Sequence, residues 1–178
     1  MSGEEEKNNS EHKRMIDILW RNKGILAKAF GLDASKLFVR GREYVLDSRT
    51  NERADLVFQD RWCASQGDSG ATCFAVELKS DVIDHEVLGQ LKKAVDILTK
   101  IGKNTGHWGR VVGMAIGKKF TQSGLSLLSM DPYYSFEWCE SGESVRLAPV
   151  GPLFAPLAGS PDGIIRKARK KVPENTMN

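Results

Sequence analysis

The sequence predicts an α/β chain of the α+β kind, an α-β-β-β-α-β succession around a small mixed central sheet flanked by helices. Three observations predict it. The segments LFVRGREYVL, ADLVF and CFAVELK follow one another with the composition of strands; a long apolar stripe at helical spacing comes next; RVVGMAIG then returns to the pattern of a buried strand. With 178 residues and 40% apolar content, the chain suits one domain with tails, enough to bury a proper core.

Residues 1–9, acidic and polar, read as a flexible arm. Ser10 then caps a helix whose apolar positions Met15, Ile16, Leu19 and Trp20 recur at helical spacing, and Gly24 ends it. A second short helix, ILAKAF, stops at Gly31, and Asp33 to Ser35 turns the chain into the three strands, with QGDSG as the turn before the last. From Asp84 the period becomes helical: Val87, Leu88, Leu91, Ala94, Val95, Leu98 and Ile101 form one stripe, and Gly102 stands where a stop belongs. After RVVGMAIG, TQSGLSLLSM reads as a short helix capped by Thr121. YSFEWCE and VRLAPV read as late strands, with Tyr134, Phe136 and Trp138 alternating as a core-facing row. The domain therefore spans residues 10–150, and 151–178 read as a Pro- and Gly-rich linker with a basic tail.

Composition narrows the function classes. A formal charge of +3 allows a nucleic-acid partner without selecting one. Cys63, Cys73 and Cys139 are an odd number without a CxxC pair, so neither a disulfide framework nor a zinc knuckle is indicated. No apolar h-region opens the chain and no apolar run is long enough to span a bilayer, so the expectation is a soluble cytoplasmic protein with no membrane partner.

The residues that carry chemistry lie on neighbouring strands. Alternation puts Glu77 and Lys79 on one side of their strand and Phe74, Val76 and Leu78 on the other, an apolar face and a reactive one. If ADLVF pairs with that strand as a hairpin, the Asp55 carboxylate reaches that of Glu77. Two carboxylates held close repel each other and are costly to bury unless a divalent cation neutralises them, and all-oxygen ligation suits Mg²⁺ or Mn²⁺. Beside such an ion, Lys79 is placed to orient a water or to stabilise charge on a phosphate in its transition state. That combination is a hydrolytic site for phosphodiesters.

RADLVF, then VELK, then a helix carrying GQLKKAVDIL resembles the PD-(D/E)XK nuclease core, over about residues 11–120, with Asp55, Glu77 and Lys79 on its three motif positions. Ala54 stands where the family name has Pro, and RWCASQGDSGAT lengthens the gap between Asp55 and Glu77. The NucS-like branch is the most similar, with Glu43 in GREYVL and Gln90 in GQL matching its outer motifs; Shedu-type defence nucleases have a similar core. The resemblance implies a restriction-endonuclease-like fold and a Mg²⁺- or Mn²⁺-dependent endonuclease acting on DNA in repair, restriction or antiphage defence. It also implies Glu43 as a further acidic member of the metal site and Gln90 at the rim of the cleft.

Lys92 and Lys93, and the tail cations Arg166, Lys167, Arg169, Lys170 and Lys171, are the candidate phosphate contacts, with a solvated face as the competing reading. A targeting subunit is one expected protein partner, because the core leaves little room for a separate DNA-reading domain, and a homodimer is the other, favoured where both strands of a duplex are cut. The rival function is a catalytically silent nucleic-acid- or protein-binding module on the same fold. For Glu77 and Lys79 the competing reading is an ordinary surface ion pair, and for Glu43 a salt bridge with Arg40 or Arg42. Gly67-Asp68-Ser69-Gly70 spells a serine-protease nucleophile signature, but no histidine stands in a matching motif.

Overall fold

The computed structural model describes residues 3–60, 71–122, 124 and 133–150. The chain opens with two helices, α1 (Gly3–Arg21) and α2 (Gly24–Phe30), and one 3-10 turn at Ala34–Lys36. Strands β1 (Leu37–Asp47), β2 (Glu52–Asp60) and β3 (Ala71–Ile83) follow, then α3 (His85–Thr105), β4 (Trp108–Phe120), β5 (Tyr133–Ser141) and β6 (Ser144–Val150). The six strands form one sheet in chain order. β1, β2 and β3 make an antiparallel meander; β3–β4 and β4–β5 pair parallel, and β5–β6 antiparallel. Crossing from β3 to a parallel β4 needs a long connection over one face, and α3 is that connection.

The central strands of the sheet are buried on both faces. Under α1 and α2 lie Leu56, Phe58, Phe74, Val76, Leu78, Val112, Met114 and Ile116, joined by the row Tyr134, Phe136 and Trp138. The face that carries Glu77 is apolar on the residues before it: Cys73 and Ala75 are core beneath the α3 stripe of Val87, Leu91, Ala94, Val95 and Leu98. Burying each large aliphatic side chain of that stripe contributes about 1.5–3 kcal/mol. Asp84 caps α3 by accepting from the Glu86 and Val87 amides at 3.0 and 3.3 Å.

Three element boundaries differ from the sequence expectation. The helix α1 starts at Gly3 instead of at a Ser10 cap, so the residues expected to be an arm are helical from Gly3. Gly24 begins α2 instead of ending α1, and Trp20 stays 37% exposed. Gly102 lies inside α3, where an added Cβ would sit 3.1 Å from the Cβ of Trp108; the helix ends at Gly106, left-handed at φ 67°. Gly31 ends α2 as expected, with φ 66°. QGDSG, Cys63, most of TQSGLSLLSM, and the linker and tail fall outside the described residues. Among the described residues no helix is long and apolar enough to cross a membrane.

Candidate active site

The β2–β3 ladder runs in register from Asp60↔Thr72 to Leu56↔Val76 and stops there. Asp55 and Glu77 are the next positions on the two strands, and beyond them the strands fork. The end of that ladder leaves Leu78 without a rung to β2, and the Asp55 side chain takes its amide: Oδ2 accepts the Leu78 N–H at 2.7 Å. A side-chain carboxylate of β2 thus stands where a backbone rung would be.

Glu77 is 5% exposed, and its Oε1 is buried without a hydrogen-bond partner. This excludes a surface ion pair as the reading of Glu77. Burial, then repulsion from Asp55, pushes its carboxyl up to about 9, against the pull of the Lys79 ammonium; Asp55 also hydrogen-bonds the protonated form, and Glu52 adds repulsion. Lys79, two residues on, is half-buried and still pairs with β4 at Gly117, after which the β3–β4 register shifts. The core trio of the sequence reading therefore stands together at the fork.

The outer residues do not all join it. Glu43 is level with Asp55, between the pairs Arg42↔Leu56 and Tyr44↔Ala54, but its backbone is left-handed at φ 45° and its side chain is 62% exposed, 4.0 Å from Arg53. The structure does not bring it to the carboxylate pair, and its cation is neither Arg40 nor Arg42. Among the described residues no three His, Cys, Asp or Glu side chains converge as a metal cluster. Gln90 is exposed on α3, one turn before Lys93 and on the same side of the helix. Lys93 reaches Glu52 at 3.2 Å and Lys92 reaches Asp96 at 2.8 Å, so both cations are held in exposed ion pairs. Arg166, Lys167, Arg169, Lys170 and Lys171 lie outside the described residues.

Two neighbours of the pair were not anticipated from the sequence. His12 of α1 places Nε2 3.2 Å from Asp55 Oδ2. Its signal was available: with Met15, Ile16 and Leu19 it continues the inward stripe of α1 by one turn. Glu52, at the start of β2, carries no such signal, since only the folded hairpin brings it near Glu77. Between α1 and β1, an open cleft of about 210 Å³ is lined by Lys13, Ile16, Asp17, Arg42 and Glu43.

A divalent cation fits this donor set. Two carboxylates, one with an unpartnered buried oxygen, supply hard oxygen ligands, and Mg²⁺ commonly takes one or two carboxylates and keeps water in its remaining positions.

No family model matches the chain, and no curated protein sequence matches it. Among solved structures, a repair endonuclease from Pyrococcus abyssi is similar at a TM-score of 0.50 with 18% identity, over 72% of this chain and 46% of that one. At that identity the likeness shows the fold: a mixed six-stranded sheet with flanking helices, of the restriction-endonuclease-like class. The chain spans less than half the length of that endonuclease.

Proposed function

We propose that the protein is a metal-dependent nuclease that hydrolyses phosphodiester bonds of DNA. The observation that carries this reading is the buried, unpartnered Glu77 Oε1 beside Asp55 at the fork of β2 and β3. An ionised pair there is costly to keep without a cation, and the fold likeness to a repair endonuclease supports the same use.

Asp55 and Glu77 are the residues that hold Mg²⁺ or Mn²⁺. When bound, the cation supplies charge neutralisation at a phosphate oxygen and lowers the pKa of water. Asp55 is fixed for this task, because the Leu78 N–H sets the direction of its carboxylate. Lys79, the cation nearest Glu77 in sequence, holds the attacking water by hydrogen bonding or faces the negative charge that grows on the phosphate. Gln90 and Lys93 line the α3 side, where a substrate strand displaces the exposed pairing of Lys93 with Glu52. Cutting both strands of a duplex calls for a two-fold homodimer, or for a partner that presents the strands in turn.

The test is plasmid, single-stranded DNA and RNA incubated with Mg²⁺, Mn²⁺ or EDTA, repeated with Asp55→Ala and Lys79→Ala. Cation-dependent nicking of DNA that both substitutions abolish is the expected result. Nucleic-acid binding with no cation-dependent nicking would instead establish a silent binding module, and nicking that survives either substitution would remove the site assignment.

A further inference from the structure

The outer half of α1 lies against the site, yet phosphodiester hydrolysis by Asp55, Glu77 and Lys79 leaves it without a task. From Met15 onward the helix is core, with Met15, Ile16 and Leu19 buried, whereas Glu6 to Ser10, Lys13 and Arg14 are exposed. Polar contacts seat this outer half. Ser80 Oγ donates to the Asn8 carbonyl at 3.2 Å, Lys118 pairs with Glu11, and Arg14 pairs with Glu140. His12 is the member that turns inward, and its target is Asp55, with the two side chains 29% and 18% exposed.

The atom it meets matters. Asp55 Oδ2 already accepts the Leu78 N–H at 2.7 Å, and the His12 ring nitrogen reaches the same oxygen. A carboxylate only accepts, so this contact requires the proton on Nε2 of His12. Two donors on Oδ2, one from β3 and one from α1, fix the carboxylate plane, and Oδ1 takes neither of them. Hydrogen bonds of this kind, made to a ligand instead of to the ion, orient ligating groups and raise affinity.

We propose that His12 is a positioning residue of the metal site: by donating Nε2–H to Asp55 Oδ2 it clamps that oxygen together with the Leu78 amide and so fixes the carboxylate that would hold the ion with Glu77. The inference rests on the metal-site reading of Asp55 and Glu77 and deepens it by making α1 a working part of the site. It assigns His12 no contact with the ion or with substrate.

The test is Mn²⁺ binding by titration calorimetry on the full chain, for wild type, His12→Leu, His12→Ala, His12→Gln and Arg14→Ala, with a thermal melt of each. The donor-free Leu and Ala variants should weaken Mn²⁺ binding by about 10- to 100-fold. His12→Gln, whose amide N–H can stand where Nε2 stands, should recover most of that loss. Arg14→Ala, which unfastens α1 from Glu140 without touching Asp55, should bind Mn²⁺ as wild type does. The proposal is overturned if the donor-free variants bind like wild type, or if His12→Gln is as weak as His12→Leu, since the ring itself would then be needed. It is equally overturned if Arg14→Ala is as weak, since helix seating would then be the cause. Plasmid nicking on the same samples separates the two claims: tight Mn²⁺ binding without nicking removes the hydrolytic reading and leaves the His12 assignment standing. A wild-type chain that binds no Mn²⁺ removes both.

Discussion

The two ends of the β2–β3 hairpin are built from the same strands and do opposite things. At the closed end every rung from Leu56↔Val76 to Asp60↔Thr72 is in register, Phe58 faces Phe74, and both rings are buried. Phe30 of α2 packs on that cluster at a tilt, its ring centroid 5.2 Å from that of Phe74. At the open end the rungs stop, a carboxylate stands in for a strand at the Leu78 amide, and a buried glutamate oxygen has no partner. The closed end stabilises the hairpin, and the open end uses some of that stability to keep two acids close. Two acids can be kept this close only where the neighbouring ladder is complete.

The largest expected effect breaks the closed end. Phe74→Ala removes a fully packed ring and should destabilise the fold by about 3–5 kcal/mol in a urea titration. Under conditions where the variant is still folded, its Mn²⁺ affinity should stay near that of wild type. Next comes the open end and its pH dependence. In the unfolded chain the Glu77 carboxyl titrates at its ordinary value of 4.5, and in the fold it is pushed up to about 9, by burial first and Asp55 second. Between those values the folded chain holds a proton that the unfolded chain has lost. In EDTA, stability is therefore greatest below about 4.5 as far as Glu77 is concerned, and falls as pH rises toward about 9. Glu77→Gln should flatten that slope in thermal melts across the window. If Glu77 holds a divalent ion as proposed, the ion takes the ionised carboxylate, so added Mg²⁺ should raise Tm more at the alkaline end of the window than at the acid end, and should do nothing for Glu77→Gln.

Asp55 sharpens the comparison, since one side chain does two jobs. Asp55→Ala leaves the Leu78 N–H without its acceptor and should cost about 1–3 kcal/mol. Asp55→Asn keeps an oxygen for that amide and should lose much less stability. Both substitutions should abolish tight Mn²⁺ binding, so denaturant titration and calorimetry together separate the rung from the ligand.

The closed end was the more legible of the two in the sequence. Its alternation, the α3 stripe and the row Tyr134, Phe136 and Trp138 all follow from periods of two or 3.6 residues, which core packing enforces. The carboxylate pair was legible as well, since strand pairing alone sets Asp55 level with Glu77. What escaped has separate causes. The outer half of α1 has no apolar stripe to announce a helix, so its polar run reads as an arm. Gly102 looks like a stop, but the approach of Trp108 makes a small residue useful inside the helix. The partnership of His12 with Asp55 joins residues 43 positions apart, and only the docking of α1 on the sheet creates it.

Glu43 gives the smallest expected effect and the sharpest test of where the open end stops. Sequence spacing sets it level with Asp55, and a resemblance made it a metal-site acid, yet a left-handed backbone turns the carboxylate toward solvent and Arg53. An exposed ion pair at 4.0 Å contributes little. Glu43→Gln should therefore change stability by no more than about 0.5 kcal/mol and leave Mn²⁺ affinity unaltered. Glu43→Gly, which accepts positive φ at no steric cost, separates backbone strain from charge and should leave Mn²⁺ affinity equally unaltered. If calorimetry instead found Glu43→Gln as weak for Mn²⁺ as Asp55→Asn, the irregular stretch of β1 would have to rotate this side chain inward when the ion binds. The open end would then extend across three strands.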